Sequence, residues 1–135
     1  MISTKGRYAL RVMIDLAKQD ADGYVPLKDI ADRQQISKKY LEIIVKELVS
    51  AKLLVGVSGK GGGYKLSKKP EEYSVGEILE ATEGTLAVVA CLSENAEKCP
   101  RAASCATLPM WSEYNKLVHD FFNSKTLKDL MAEKQ

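Results

Sequence analysis

What most constrains this chain is a change of period. Up to Lys52 its apolar residues recur every three or four positions, as on helices. From Leu53 the spacing becomes strand-like around a glycine-rich break, "LLVGVSGKGGGYKLS", and after Ser74 it returns to helical. Ser3 is placed to cap a first helix over about 4–19, with Ala9, Leu10, Met13, Leu16 and Ala17 on its stripe and Arg7, Arg11, Asp15 and Lys18 off it. "VPLKDIADRQQ" starts a second, with Pro26 in its first turn and Leu27, Ile30 and Ala31 inward. Ser37 caps a third over about 38–50. Its core face is Leu41, Ile44, Val45 and Leu48, which leaves Lys38, Lys39, Glu42, Ile43 and Lys46 toward solvent.

The break itself reads as a β-hairpin. Leu53, Leu54, Val55 and Val57 precede it, and Tyr64 and Leu66 alternate with Lys65 after it. It is not a Walker loop, because no Gly-Lys-Ser/Thr ends it and a strand follows where that loop needs a helix. Ser74 and Glu77 have capping-box spacing and open a helix over about 75–82, with Val75, Ile78 and Leu79 inward and Gly84 as its stop. Further on, an amphipathic helix over about 109–122 carries Trp111, Tyr114, Leu117, Val118, Phe121 and Phe122. Thr126 caps a last short helix with Leu127, Leu130 and Met131.

Three helices followed by a hairpin is the order of a winged helix-turn-helix domain. The expected fold is therefore mainly α, with a small β-hairpin wing and a long C-terminal dimerisation helix. In that arrangement the third helix enters the major groove of DNA and the wing reaches a neighbouring groove or the backbone. Charge agrees: residues 1–70 hold 14 Lys and Arg against 7 Asp and Glu, whereas residues 71–135 hold 6 against 11. A basic half suits an anionic partner. Lys38, Lys39 and Lys46 on the helix, and Lys60, Lys65, Lys68 and Lys69 on or beside the wing, suit phosphate contact. Any one of them reads equally well as a solvated surface charge; the constellation is the specific signal. Glu42, among lysines, suits the cytosine amino group. The long aromatic helix either folds back on its own domain or pairs with its twin, and symmetric reading of half-sites favours the homodimer.

All three cysteines, Cys91, Cys99 and Cys105, fall within "CLSENAEKCPRAASC". An odd count leaves one thiol over in any bridging scheme. No apolar run approaches the ~20 residues needed to span a bilayer, and "MISTKGRYALRVMI" reads as a helix, so the expected compartment is the cytoplasm and no membrane is involved. Stable disulfides are rare there, and the tight C-x2-C pairs of zinc sites are missing. An enzyme is excluded on residue types: there is one histidine, and no paired carboxylates, Ser/His or Cys/His constellation. An iron–sulfur redox carrier is the rival of another class.

"STKGRYALRVMIDLA", "LKDIADRQQISKKYLEIIVKELVSAKLLVGVSGKGGGYKLSK" and "YSVGEILEATEG" resemble the Rrf2 family of bacterial winged-helix transcription regulators, in particular its IscR-like members. The resemblance covers nearly the whole chain. It implies a homodimer whose long helices cross through Trp111, Tyr114, Leu117, Val118 and Phe121, and which reads a palindromic operator, usually as a repressor. It implies DNA contact by Lys5, Arg7, Lys38, Lys39, Tyr40, Glu42, Ile43, Lys46, Ser58, Lys60, Gly61, Gly62 and Tyr64. Tyr40 and Glu42 match IscR-like residues, whereas Ile43 stands in place of a glutamine and Ser58 in place of an arginine. It also implies an iron–sulfur cluster on Cys91, Cys99 and Cys105, 2Fe–2S rather than 4Fe–4S. A histidine three residues past the last cysteine is replaced by Leu108, and an N-terminal aspartate used by other members aligns with Arg7; neither residue ligates. The fourth ligand is not identified, with Glu94, Glu97 and water as candidates; His119 reads as a polar member of the aromatic helix. The alternative within the family is a CymR-like regulator without a cluster, responding to thiol oxidation or to a partner metabolic enzyme. The implied units are residues 1–83 for DNA binding, 84–106 for the sensor loop and 107–135 for dimerisation.

Overall fold

In the computed structural model the described residues are 2–19, 23–93, 96–97 and 100–132. The elements run α1 (Thr4–Lys18), α2 (Leu27–Gln34), α3 (Lys38–Ser50), β1 (Leu54–Val57), β2 (Gly63–Leu66), a 3-10 turn (Pro70–Glu72), α4 (Val75–Glu83), a second 3-10 turn (Ala90–Leu92), α5 (Leu108–Ser124) and α6 (Leu127–Met131). This is the expected winged helix with a long C-terminal helix.

Local chemistry sets the boundaries. The hydroxyls of Ser3, Ser37, Ser74 and Thr126 each accept an N–H from the first turn of the helix that follows, from Gly6, Tyr40, Glu77 and Asp129 respectively. The capping box expected at Ser74 is only half made. Glu77 instead pairs with Lys68, 2.9 Å away at the base of the wing. Thr126 has the complete box: the Asp129 carboxylate accepts the Thr126 N–H at 2.9 Å, and that bond holds its pKa below the usual carboxylate range.

The main core joins α1, α2, α3 and the hairpin base to α4 and α6. Val12, Met13, Ile30, Leu41, Ile44, Leu48, Tyr73, Ile78 and Leu127 are all fully buried there. The short α6 thus belongs to this core, fixed by the Val75 N–H to Lys125 O bond (2.8 Å) and the Leu127 N–H to Tyr73 O bond (3.0 Å). A smaller cluster of Val75, Leu79 and Leu86 packs against Ile2, Leu10, Phe122 and Leu130 and holds α5 against α4.

Two expectations need correction. Asp15 is not on the solvent side of α1 but is 4% exposed. Its carboxylate takes two bonds from the Arg33 guanidinium, at 2.9 and 2.7 Å, and one from the Gln34 amide at 2.9 Å. A buried carboxylate is tolerated because both of its oxygens accept from donors, and the pair clamps α1 to α2. The aromatic stripe of α5 is likewise two faces. Trp111, Val118 and Phe122 turn partly inward, whereas Met110, Tyr114, Leu117 and Phe121 are half or more exposed.

Candidate nucleic-acid interface and cysteine segment

The third helix presents the expected polar face. Leu41, Ile44, Val45 and Leu48 are fully buried, so Lys38, Lys39, Glu42, Ile43 and Lys46 are left exposed on the opposite side. Tyr40 is half-buried, edge-to-face with Tyr8 at 5.8 Å, and braces α3 on α1.

The wing is an antiparallel pair with Leu54 opposite Leu66 and Val57 opposite Gly63. Its tip closes with a 3.0 Å bond from the Gly62 N–H to Gly59 O, and Lys60 stands exposed on it. Gly59 has a φ of +93°, a left-handed conformation, with open space where a side chain would go. Gly63 has a different constraint. A Cβ there would lie 2.2 Å from Val25 O, because Val25 and Tyr64 exchange backbone bonds of 2.8 and 2.9 Å. The hairpin is thereby stitched to the segment leading into α2. Sequence reasoning missed Val25, although its place before Pro26 biases it to the extended backbone that such pairing needs. Tyr73 was missed too. Fully buried, its hydroxyl donates to Leu53 O at 2.7 Å and accepts the N–H groups of Ser67 (2.8 Å) and Lys68 (3.2 Å), fixing the base of the wing.

Between α3 and the wing runs a groove of about 470 Å³ lined by Glu42, Lys46, Val49, Gly56, Val57, Ser58 and Tyr64. The lysines around it are unpaired: among the described residues no ion pair engages Lys38, Lys39, Lys46 or Lys60. Lys5 is paired with Glu47 at 2.9 Å, a hydrogen bond that raises its pKa, and Arg7 is exposed and bonded to Thr4. Lys65 lies over the Tyr24 ring at 4.8 Å, and Lys68 is held by Glu77 and Tyr73. Gly61 is exposed and Gly62 half-exposed beside Lys60.

Of the cysteines, Cys91 is exposed in the second 3-10 turn and Cys105 is half-exposed just before α5. Cys99 and the candidate ligand Glu94 lie outside the described residues; Glu97 is exposed. Among the described residues no three Cys, His, Asp or Glu side chains gather as a metal site. The Cys105 thiol sits 3.5 Å from the Thr107 hydroxyl. Bonds from that hydroxyl, then from the Thr107 and Leu108 N–H groups, lower its pKa toward the thiolate. Thiolates are what an iron–sulfur cluster binds, so this donor chemistry fits one. The segment is also tied to α5, since Asn115 Oδ1 accepts the Val88 N–H at 2.9 Å. His119 directs Nδ1 at Asn115 O, 2.7 Å away, as a polar member of the helix.

The profile of the Rrf2 family, described as iron-dependent transcriptional regulator, matches residues 2–133. The chain belongs to this family. It is 39% identical to Protein rrf2 of Nitratidesulfovibrio vulgaris over 132 residues, covering 98% of this chain and 87% of that one. It is 36% identical to the transcriptional regulator IscR of Pectobacterium atrosepticum, covering 99% and 80% respectively. Among solved structures it resembles CymR, the global cysteine regulator of B. subtilis, with a TM-score of 0.78 at 35% identity over 100% of this chain and 98% of that one. It also resembles T. potens IscR, with a TM-score of 0.73 at 30% identity, covering 100% and 93%. As an Rrf2-family protein it is a DNA-binding transcription regulator and not an enzyme. No helix of the described residues is long and apolar enough to cross a membrane.

Proposed function

We propose that this Rrf2-family regulator works in the cytoplasm as a homodimer on palindromic duplex DNA, and that an iron–sulfur cluster on Cys91, Cys99 and Cys105 sets its affinity. The observation that supports the dimer is the outer stripe of α5. Met110, Tyr114, Leu117 and Phe121, spaced i, i+4, i+7, i+11, are 53, 50, 63 and 57% exposed. A contiguous apolar stripe of this kind is ordinarily covered, and a second copy of the same helix meets it by two-fold symmetry. DNA binding through α3 and the wing is supported by the exposed Lys38, Lys39, Lys46 and Lys60 around the groove.

For the cluster, support comes from the Cys105 thiol, whose pKa the Thr107 hydroxyl and the neighbouring N–H groups lower, and from the second free thiol, Cys91, in the same segment. The cluster, when bound, supplies a redox- and iron-sensitive centre. The chain's own residues do the coupling: Cys91, Cys99 and Cys105 hold it, and Asn115 fastens the segment to the helix on which the dimer depends. Anaerobic reconstitution tests this. Visible absorbance and iron uptake are expected in the wild type, and each of Cys91→Ala, Cys99→Ala and Cys105→Ala should lose them, because two thiolates seldom retain such a centre. The triple variant should still fold and bind DNA, since the core is built without this segment. Wild-type protein that takes up no iron under these conditions overturns the cluster.

One observation favours a second reading. The likeness to CymR is as high as that to IscR, and a half-exposed thiol with a lowered pKa is also what a direct oxidation sensor needs. Iron-free protein whose DNA affinity changes with peroxide, or with an added metabolic enzyme, would establish that reading instead.

A further inference from the structure

We propose that Ile43 reads thymine: its side chain meets the C5 methyl group of one thymine in each half-site, beside a cytosine read by Glu42. This rests on the reading of α3 as the helix that enters the groove. Ile43 is 49% exposed, while the other four large apolar residues of the middle of α3, Leu41, Ile44, Val45 and Leu48, are fully buried. About half of its surface is therefore left to solvent and not spent on the core. It lies between Lys39, one turn before it, and Lys46, one turn after it, both exposed and free of ion pairs among the described residues. The two ammonium groups follow Ile43 along one flank of the helix, where they suit the phosphates of a single strand bordering a major groove, and the Ile43 side of the helix is then left toward the base edges.

The chemistry then selects the base. Isoleucine has no donor or acceptor, and the major groove displays one apolar group, the thymine methyl. Its β-branched side chain is stiff, so little rotamer freedom is lost in holding that contact. Glu42 completes the argument from the opposite chemistry. Lys38 and Lys46 stand one turn either side of it, yet among the described residues it makes no ion pair. A carboxylate is repelled by phosphate, so a Glu42 facing the groove is matched only by a base amino group, with cytosine N4 the usual donor. Consecutive residues of a helix point about 100° apart, so the two read adjacent positions and not the same base.

The test uses the full chain as it assembles and an operator selected from random duplexes. Each thymine is replaced in turn by deoxyuridine, which deletes only the methyl group. Wild-type protein should lose about fourfold in affinity at one position per half-site, the value of burying a single methyl, and nothing elsewhere. Ile43→Ala should bind more weakly and no longer distinguish deoxyuridine from thymine at that position. Ile43→Gln should move the preference there to adenine, whose N6 and N7 suit an amide. If the protein binds DNA in a salt-dependent manner but is indifferent to every deoxyuridine, or if Ile43→Ala keeps the wild-type pattern, the thymine reading is wrong while the groove-entering helix stands. Absence of duplex binding altogether overturns the parent reading as well.

Discussion

Replacing Gly63 by alanine should be far more damaging than replacing Gly59, although both glycines belong to the same hairpin. The two share one cost. Each has a positive φ, +149° at Gly63 and +93° at Gly59, and forcing alanine into such a conformation costs about 1–2 kcal/mol. Part of that is offset by the stiffer unfolded chain, about 0.4–1 kcal/mol. Around Gly59 nothing else changes, because its missing Cβ would meet open space. At Gly63 the added Cβ would lie 2.2 Å from Val25 O, 2.5 Å from Val25 C and 2.8 Å from Pro26 N, all backbone atoms that cannot swing aside. The hairpin must then separate from Val25 and give up the 2.8 and 2.9 Å bonds between Val25 and Tyr64. At about 1 kcal/mol per bond, Gly63→Ala should cost about 3 kcal/mol and Gly59→Ala under about 1.5 kcal/mol. Denaturant titrations at fixed protomer concentration, under reducing conditions, measure both. Hydrogen exchange at the Val25 and Tyr64 amides shows where the difference arises, and DNA affinity should fall with Gly63→Ala because the wing loses its mooring. Equal costs for the two variants, or unchanged protection of those amides in Gly63→Ala, would refute the reasoning.

Tyr73→Phe keeps the buried ring but strands Leu53 O and the Ser67 and Lys68 N–H groups; a loss of about 2 kcal/mol is expected in the same titrations, and a loss below about 0.5 kcal/mol would show that water replaces the hydroxyl. Asp15→Ala should cost about 2–3 kcal/mol by leaving the Arg33 and Gln34 donors unmatched, with α1 and α2 loosening first in hydrogen exchange. Leu117→Asp with Phe121→Asp should give a folded monomer in sedimentation that no longer binds operator; a wild-type monomer, or a dimer that survives both changes, removes the case for α5 as the interface. Affinity for duplex DNA should fall by orders of magnitude between ~50 and ~200 mM salt, and Lys60→Ala should weaken all sequences alike while flattening that dependence.

Much of this protein is legible in its sequence because much of it is local. A serine or threonine hydroxyl reaches an N–H within three residues, so Ser3, Ser37, Ser74 and Thr126 mark helix starts wherever the rest of the chain goes. The i, i+3, i+4 spacing of Leu41, Ile44, Val45 and Leu48 dictates which side of α3 is buried, and therefore that Lys39, Glu42, Ile43 and Lys46 face outward. The glycine break between two apolar runs specifies a hairpin. What the sequence leaves open is which partner meets each face. A helical wheel places Tyr114, Val118 and Phe122 close together but is silent on how wide a strip α4 covers, so the division of α5 into an inner and an outer face appears only when the helices are packed. The same holds for charge. Lys5 and Lys60 look alike in sequence, yet one is paired with Glu47, 42 residues away, and the other stands unpaired among the described residues at the wing tip. Asp15 looks like surface until Arg33 and Gln34 arrive 18 and 19 residues later. Local rules act over one helical turn, whereas burial and ion pairing depend on which distant segments tertiary packing brings together, and no spacing within a single element encodes that choice.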